Sequence, residues 1–326
     1  MEMKRRLSPA LVLFFLAPAI GELLSSSAPP AEFFNPPGFI MLSLLYGGGA
    51  ILARELVFRW GRGWPSLLVL GAAYGIAEEG LMCKSFFDPG WMDVGILGEY
   101  GRWLGVNWVW SVELTIYHSV FSIVIPITLV TLLFPNRRTT SWIGRRGLVV
   151  LSILWLANGI LIFIFISKYR PPVLHYVIAA GTIIGLGFAA RWLPVPAVPP
   201  AAYAKKTPGC GRLFALGFVS TVVFFVLAWV LPHTRLHPLI VIAFMTVLVA
   251  AIAWVIWRMS ARDGFSDRHK LAMIWGALGF FIFIVAPVRE WAKNPADNPT
   301  GMLIVALAFF LFLAWMWRRT RSQVTT

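Results

Sequence analysis

The sequence predicts an all-α fold, a polytopic transmembrane helical bundle of about ten spans with N-terminus and C-terminus cytoplasmic. Three observations predict it. First, 59% of the 326 residues are hydrophobic and only 13% are charged, too few polar groups to clothe a soluble protein of this length. Second, apolar runs of roughly 17–25 residues recur along the whole chain, the length that crosses a ~30 Å hydrocarbon core as a helix. The ~10-residue alternation of barrel strands is absent. Third, the net charge of +14 is placed asymmetrically. With the N-terminus inside, most of the 28 Lys and Arg residues fall in cytoplasmic segments, Lys4, Arg5 and Arg6 first among them. Of the 14 acids, only Glu2, Glu55, Asp263 and Asp267 join them. Such a bias is an orientation signal at a cell membrane and excludes nucleic acid as the partner. Membrane lipids are the expected surroundings.

The first span, roughly 8–24, follows the basic start "MEMKRRLSPALVLFFLAPAIGELL" and ends with Glu22. A cleaved signal peptide is the alternative, but the length of the apolar run and the acid within it favour a retained helix. Glu22 near the span's outer end is a candidate fourth acid of a polar site, with snorkelling to the interface as the expected role. The second span covers 38–58 and the third 65–84.

The third span carries the stretch "YGIAEEGLMCK", with Glu78 and Glu79 adjacent inside an apolar run. At 100° per residue, Gly71, Gly75 and Glu79 share one stripe, so a neighbouring helix can come close beside the glutamates. They would lie about 8 Å below the outer end of the span. The outer segment "SFFDPGWMDVGILGEYGRWLGVNW" (85–108) is rich in Gly and aromatics and is expected to lie along the interface or dip back as a lid.

The fourth span, 107–134, supplies a counterpart. Asn107, Ser111, Thr115, His118 and Ser122 fall on one polar stripe, which lipid would not tolerate facing outward. Glu113 lies about 140° away from His118 on the same helix, turned either obliquely to the same cavity or to a different neighbour.

Spans five to ten follow at 147–166, 173–192, 212–231, 238–257, 271–290 and 300–317. His175 opens the sixth, and His233 and His237 flank a short outer loop; solvation at a span end accounts for all three. Asp263, Asp267 and His269 belong to a cytoplasmic loop as solvated charge. Cys83 and Cys210 fall on opposite sides and cannot pair. The Pro-rich basic linker at 193–211 divides a polar first part, 1–192, from a largely apolar second part, 212–326.

The candidate site residues are therefore Glu78, Glu79 and His118, with Glu113 in reserve. Two close carboxylates disfavour simultaneous ionisation, which makes a general base or a proton carrier available. A histidine with glutamate partners, here His118 with Glu79, can instead hold a divalent metal such as zinc, with the other carboxylate activating water. The residues alone leave open a hydrolase acting on a membrane-embedded peptide or small molecule, a proton- or cation-coupled transporter, and a structural protein whose polar cluster only holds helices together.

Glu78 and Glu79 followed by Lys84, and then Leu114 and His118 on the next helix, resemble the motifs of the glutamate-type intramembrane proteases. These are the CAAX-protease-like (CPBP) group and its PrsW relatives, with a Glu-Glu pair before a basic residue and an aromatic four residues before a histidine. The resemblance covers about 45 residues. It implies a hydrolytic site in which Glu78 or Glu79 is the base and His118 stabilises the oxyanion or orients water. The chain departs from the pattern at Cys83, where arginine is expected, at Leu114 in place of the aromatic, and at Ala179, four residues after His175.

Overall fold

The computed structural model describes residues 7–195, 207–260, 262, 264–292 and 298–322. The basic start with Glu2, Lys4, Arg5 and Arg6, the linker core 196–206 and Asp263 lie outside the described residues.

Helices form nearly everything described, as the apolar runs require: in lipid, backbone polar groups must be satisfied within the segment. Among the described residues, eight helices are long and apolar enough to cross a membrane. In chain order, α1 is the shorter Pro9–Leu24 and α2 is Pro36–Arg59. The next, α3, is continuous over 64–82, and its two glutamates lower its hydropathy below that of the other long helices. Then come α4 (Trp108–Leu133), α5 (Arg145–Phe165), α6 (Val173–Trp192), α7 (Cys210–His233), α8 (Pro238–Ser260), α9 (Asp267–Trp291) and α10 (Met302–Thr320). These ten helices occupy the ten predicted positions.

The centre of the bundle is α4. About 72% of its most apolar stretch is buried, against 11% for α6 and for α8, which present their sides to lipid. One face of α4 packs with α1, α2 and α3 around Leu13, Tyr46, Tyr74 and Ile123. Its other face meets α7 and α9 through aromatic contacts, with Phe121 edge-on to Phe281 at 5.1 Å and Phe225 stacked on Phe280 at 4.7 Å. The hydrophobic core thus runs from the first part of the chain into the second.

Two glycine contacts set the helix spacing. A β-carbon on Gly71 would stand 2.7 Å from Ser119 Cα, so α3 and α4 touch backbone to backbone, as the Gly71–Gly75 spacing predicts. In the second part Gly217 and Gly276 do the same for α7 and α9, where a β-carbon would meet Met273 O at 2.1 Å or Phe214 O at 2.0 Å.

The segment between α3 and α4 is folded. Arg102–Trp103 and Val106–Asn107 form a small antiparallel hairpin, β1 and β2, and Phe86, Phe87, Val94 and Leu97 are buried. Asn107 ties its ends together, donating from its backbone N to Phe86 O (2.8 Å) and from its side chain to Ser85 O (3.1 Å) and Asp88 O (2.9 Å).

At the opposite face of the bundle, Glu55 is wholly buried. It accepts from Arg54 Nη1 at 2.5 Å, Trp142 N at 2.8 Å and Ser141 Oγ at 2.5 Å, clamping the turn after α4 onto α2. Asp267 is not a solvated loop charge: it opens α9 after an N-cap at Ser266 and pairs with Arg138 and Lys270. A carboxylate in the first helical turn is favoured by the dipole there.

Candidate functional site

A departure from regular α geometry builds the site. Ala77–Met82 in α3 and His118–Val124 in α4 are π turns, the first marked by a bond from Cys83 N to Glu78 O (2.8 Å). Such wide turns hold an extra residue, are rare, and recur at functional sites. In an α-helix neighbouring side chains diverge by about 100°; the wider turn narrows that angle, which lets Glu78 and Glu79 address one partner.

That partner is His118. Its Nε2 lies 3.1 Å from Glu79 Oε1, and its Nδ1 lies 3.4 Å from Glu78 Oε2 and 3.1 Å from Ser122 Oγ. All three residues are buried, with His118 and Glu78 at 2% exposure. One donor atom from each of Glu78, Glu79 and His118 lies within 4.8 Å of the others, close enough for a single cation to draw on all three. Gly75 leaves room for the imidazole, since a β-carbon there would stand 3.0 Å from His118 Cβ.

The surrounding groups hold this arrangement unevenly. Ser85 Oγ donates to Glu79 Oε2 and in turn accepts from Trp110 Nε1 at 3.0 Å, so Glu79 is fixed at both oxygens. Glu78 Oε2 and Tyr74 Oη, by contrast, are buried without a hydrogen-bond partner among the described residues. Three tyrosine rings surround the imidazole, with centroids at 5.4 Å for Tyr117, 5.8 Å for Tyr46 and 5.9 Å for Tyr74.

Glu78, Glu79 and His118 therefore meet, as the sequence predicts, and Glu113 does not join them. It is buried on the other side of α4, where Oε1 accepts from Trp229 Nε1 of α7 at 2.6 Å. Of the two orientations open to Glu113, the structure shows the separate neighbour. Glu22 also departs from expectation: it accepts a hydrogen bond from Tyr46 Oη instead of reaching an interface alone. His175 stays at the edge, with Nε2 2.8 Å from Leu104 O. Lys84 turns away from the glutamates; its Nζ donates to Phe163 O (2.6 Å) and Ser167 O (2.7 Å) at the end of α5.

His118 stands about 15 Å along α4 from Trp108, half the thickness of a hydrocarbon core.

A family profile described as "Uncharacterized membrane protein family" matches residues 11–326, nearly the whole chain. The chain belongs to this family. The match spans both parts of the bundle, including the Glu78–Glu79–His118 centre. An "Uncharacterized protein" of Archaeoglobus fulgidus is 26% identical over 130 residues, 40% of this chain. The chain spans 39% of the length of that curated relative. No solved structure matches.

Proposed function

We propose that this family member is a membrane-embedded hydrolase with Glu78, Glu79 and His118 as its centre. The observation that carries the reading is one imidazole held between two buried carboxylates, with Glu78 Oε2 in ion-pair contact but without a hydrogen bond among the described residues. Ionisable groups inside a membrane are costly, and an unsatisfied one more so.

Each residue has a distinct part. Glu79, fixed by Ser85 and His118, orients the imidazole. Glu78 Oε2, free of hydrogen bonds, is the base that takes a proton from water as it attacks a carbonyl carbon. His118 donates from Nδ1, the nitrogen not held by Glu79, to the oxygen that becomes negative, and the proton taken by Glu78 passes to the leaving group as its bond to the carbonyl carbon breaks. A divalent metal such as zinc fits the same donors, His118 nitrogen with Glu79 oxygen, and would supply Lewis acidity to the carbonyl. The substrate class is a peptide or small molecule lying within the bilayer, and the resemblance to glutamate-type intramembrane proteases favours the peptide. By the charge bias of its loops, the centre is reached from the non-cytoplasmic face.

A second reading is a proton- or cation-coupled carrier. It is favoured by the depth of His118, since coupling sites of carriers lie near the bilayer midplane.

The test uses full-length protein in nanodiscs with a pool of quenched fluorogenic transmembrane peptides. Cleavage by the wild type that is lost in Glu78→Gln, at unchanged melting temperature, supports the hydrolase. Equal cleavage by both, or none by either alongside cation flux into proteoliposomes, overturns it.

A further inference from the structure

The polar centre does not end at α3 and α4. The last turn of α1, Ala19–Leu24, is a π turn carrying Glu22, and a π turn at Ser43–Gly47 in α2 carries Tyr46. Tyr46 Oη donates to Glu22 Oε1, and the Tyr46 ring, 1% exposed, lies beside His118. The turn bearing Glu22 is pinned to the same residues that hold the imidazole. Tyr117 Oη donates to Gly21 O at 2.6 Å, and a β-carbon on Gly21 would lie 3.1 Å from Ser122 Oγ, the neighbour of His118 Nδ1. Four wide turns from four helices thus converge on one place.

Charge in this chamber does not balance. Glu22, Glu78 and Glu79 supply three carboxylates, and the ion pairs of Glu78 and Glu79 among the described residues are both with His118. The nearest lysine in sequence, Lys84, is committed to two carbonyls and the face of Phe163. A buried excess of acceptors is relieved by protons or by a cation. Glu78 Oε2, paired with His118 but without a hydrogen bond, and Tyr74 Oη, without one among the described residues, mark where polar ligation is incomplete. With its proton given to Glu22, the Tyr46 oxygen keeps lone pairs that can accept a further hydrogen bond.

Resting on the metal form of the function proposed above, we infer that Glu22 is the third carboxylate of a divalent-cation site and acts through Tyr46. Glu78, Glu79 and His118 are the inner donors. Glu22 fixes the Tyr46 hydroxyl so that its oxygen accepts from a water on the cation, and it adds negative charge to the site. The mixed imidazole and carboxylate set suits zinc, cobalt(II) or manganese over calcium or magnesium. Glu22 and Tyr46 are positioning residues, because neither supplies an atom to the inner group.

Chelator-treated full-length protein in detergent is titrated with cobalt(II), reading affinity and the visible absorption band together. The wild type is expected to bind with a band diagnostic of nitrogen and oxygen ligation. Glu22→Gln and Tyr46→Phe are each expected to weaken binding about ten- to a hundredfold, as loss of outer partners does. Their band at saturation should keep its position, whereas His118→Ala should shift or lose it. A purely structural role would lower the melting temperature without that combination. Wild-type affinity in both variants overturns the inference and leaves the inner site standing. A shifted band in Glu22→Gln makes Glu22 an inner ligand and overturns the placement. A wild type that takes up no cobalt(II) overturns both this inference and the metal-dependent reading. Should Glu22→Gln fail to fold, Tyr46→Phe, which keeps the ring, decides alone.

Discussion

Gly71 and Ser119 hold α3 and α4 in backbone contact, with only 2.7 Å available between a β-carbon on the glycine and Ser119 Cα. Ser119 neighbours His118, and Gly71 lies two turns from Glu78 and Glu79, so the distance between the two helices sets the distance between imidazole and carboxylates. Gly71→Leu is expected to force the helices apart. Overpacking of this kind costs about 1–3 kcal/mol. Thermal unfolding in detergent measures it, and cobalt(II) affinity should fall in the same variant; a change in neither would show that the contact is slack.

Ser85 links Glu79 to Trp110, donating to the carboxylate and accepting from the indole at 3.0 Å. Ser85→Ala leaves both partners buried and short of a bond, a loss of about 1–3 kcal/mol per group. Stability should drop and Glu79 should lose its fixed orientation. Intrinsic tryptophan fluorescence reports the Trp110 side of the break. A fully wild-type unfolding curve would contradict the assignment.

Glu55 is the acceptor for Arg54, Ser141 and Trp142 at the end of the bundle remote from the centre. Glu55→Ala strands the Arg54 guanidinium, which is 6% exposed, without its counter-charge. Removing one partner of a buried ion pair costs about 3–5 kcal/mol. Denaturant titration should show this as a lowered midpoint, and limited proteolysis should cut within 134–144, the turn that Glu55 secures. Resistance there would argue that Arg54 alone retains the turn through its bonds to Thr140 O (2.7 Å) and Arg138 O (3.2 Å).

Glu113 accepts from Trp229 across the α4–α7 contact, and its second oxygen is buried without a partner among the described residues. Glu113→Ala should destabilise by about 1–3 kcal/mol through the stranded indole N–H. Glu113→Gln retains an acceptor and should recover most of that loss. If both variants melt alike, the bond contributes nothing measurable.

The helical plan was legible because hydropathy reports lipid directly: ten apolar runs became ten helices, and the asymmetry of arginine and lysine needed no structure to be seen. The meeting of Glu78, Glu79 and His118 was legible too, from Gly71 and Gly75 on one side and the polar stripe of α4 on the other. For Glu22 the less expected of its two readings holds, for a physical reason. Near a span end an acid can always reach water, and nothing in "PAIGELL" reveals a tyrosine hydroxyl aimed at it from another helix. Tyr46 and Tyr74 were invisible as polar residues, since in an apolar run a phenol reads as one more aromatic. Ser85 and Trp110 were hidden in the same way within an interfacial segment. The ambiguity over Glu113 was real, because its angle on the helix fits either neighbour.

Every acidic or imidazole group of the chamber sits on a turn with one residue more than its helix needs. Excising a single residue from Ala77–Met82 would restore ordinary winding there and return neighbouring side chains to about 100° apart. Hydropathy, length and amino-acid content would hardly change, yet the glutamates would no longer share a target. Among descendants of a common ancestor, gain or loss of the centre could therefore be written as a one-codon insertion or deletion, which a census of retained side chains would overlook.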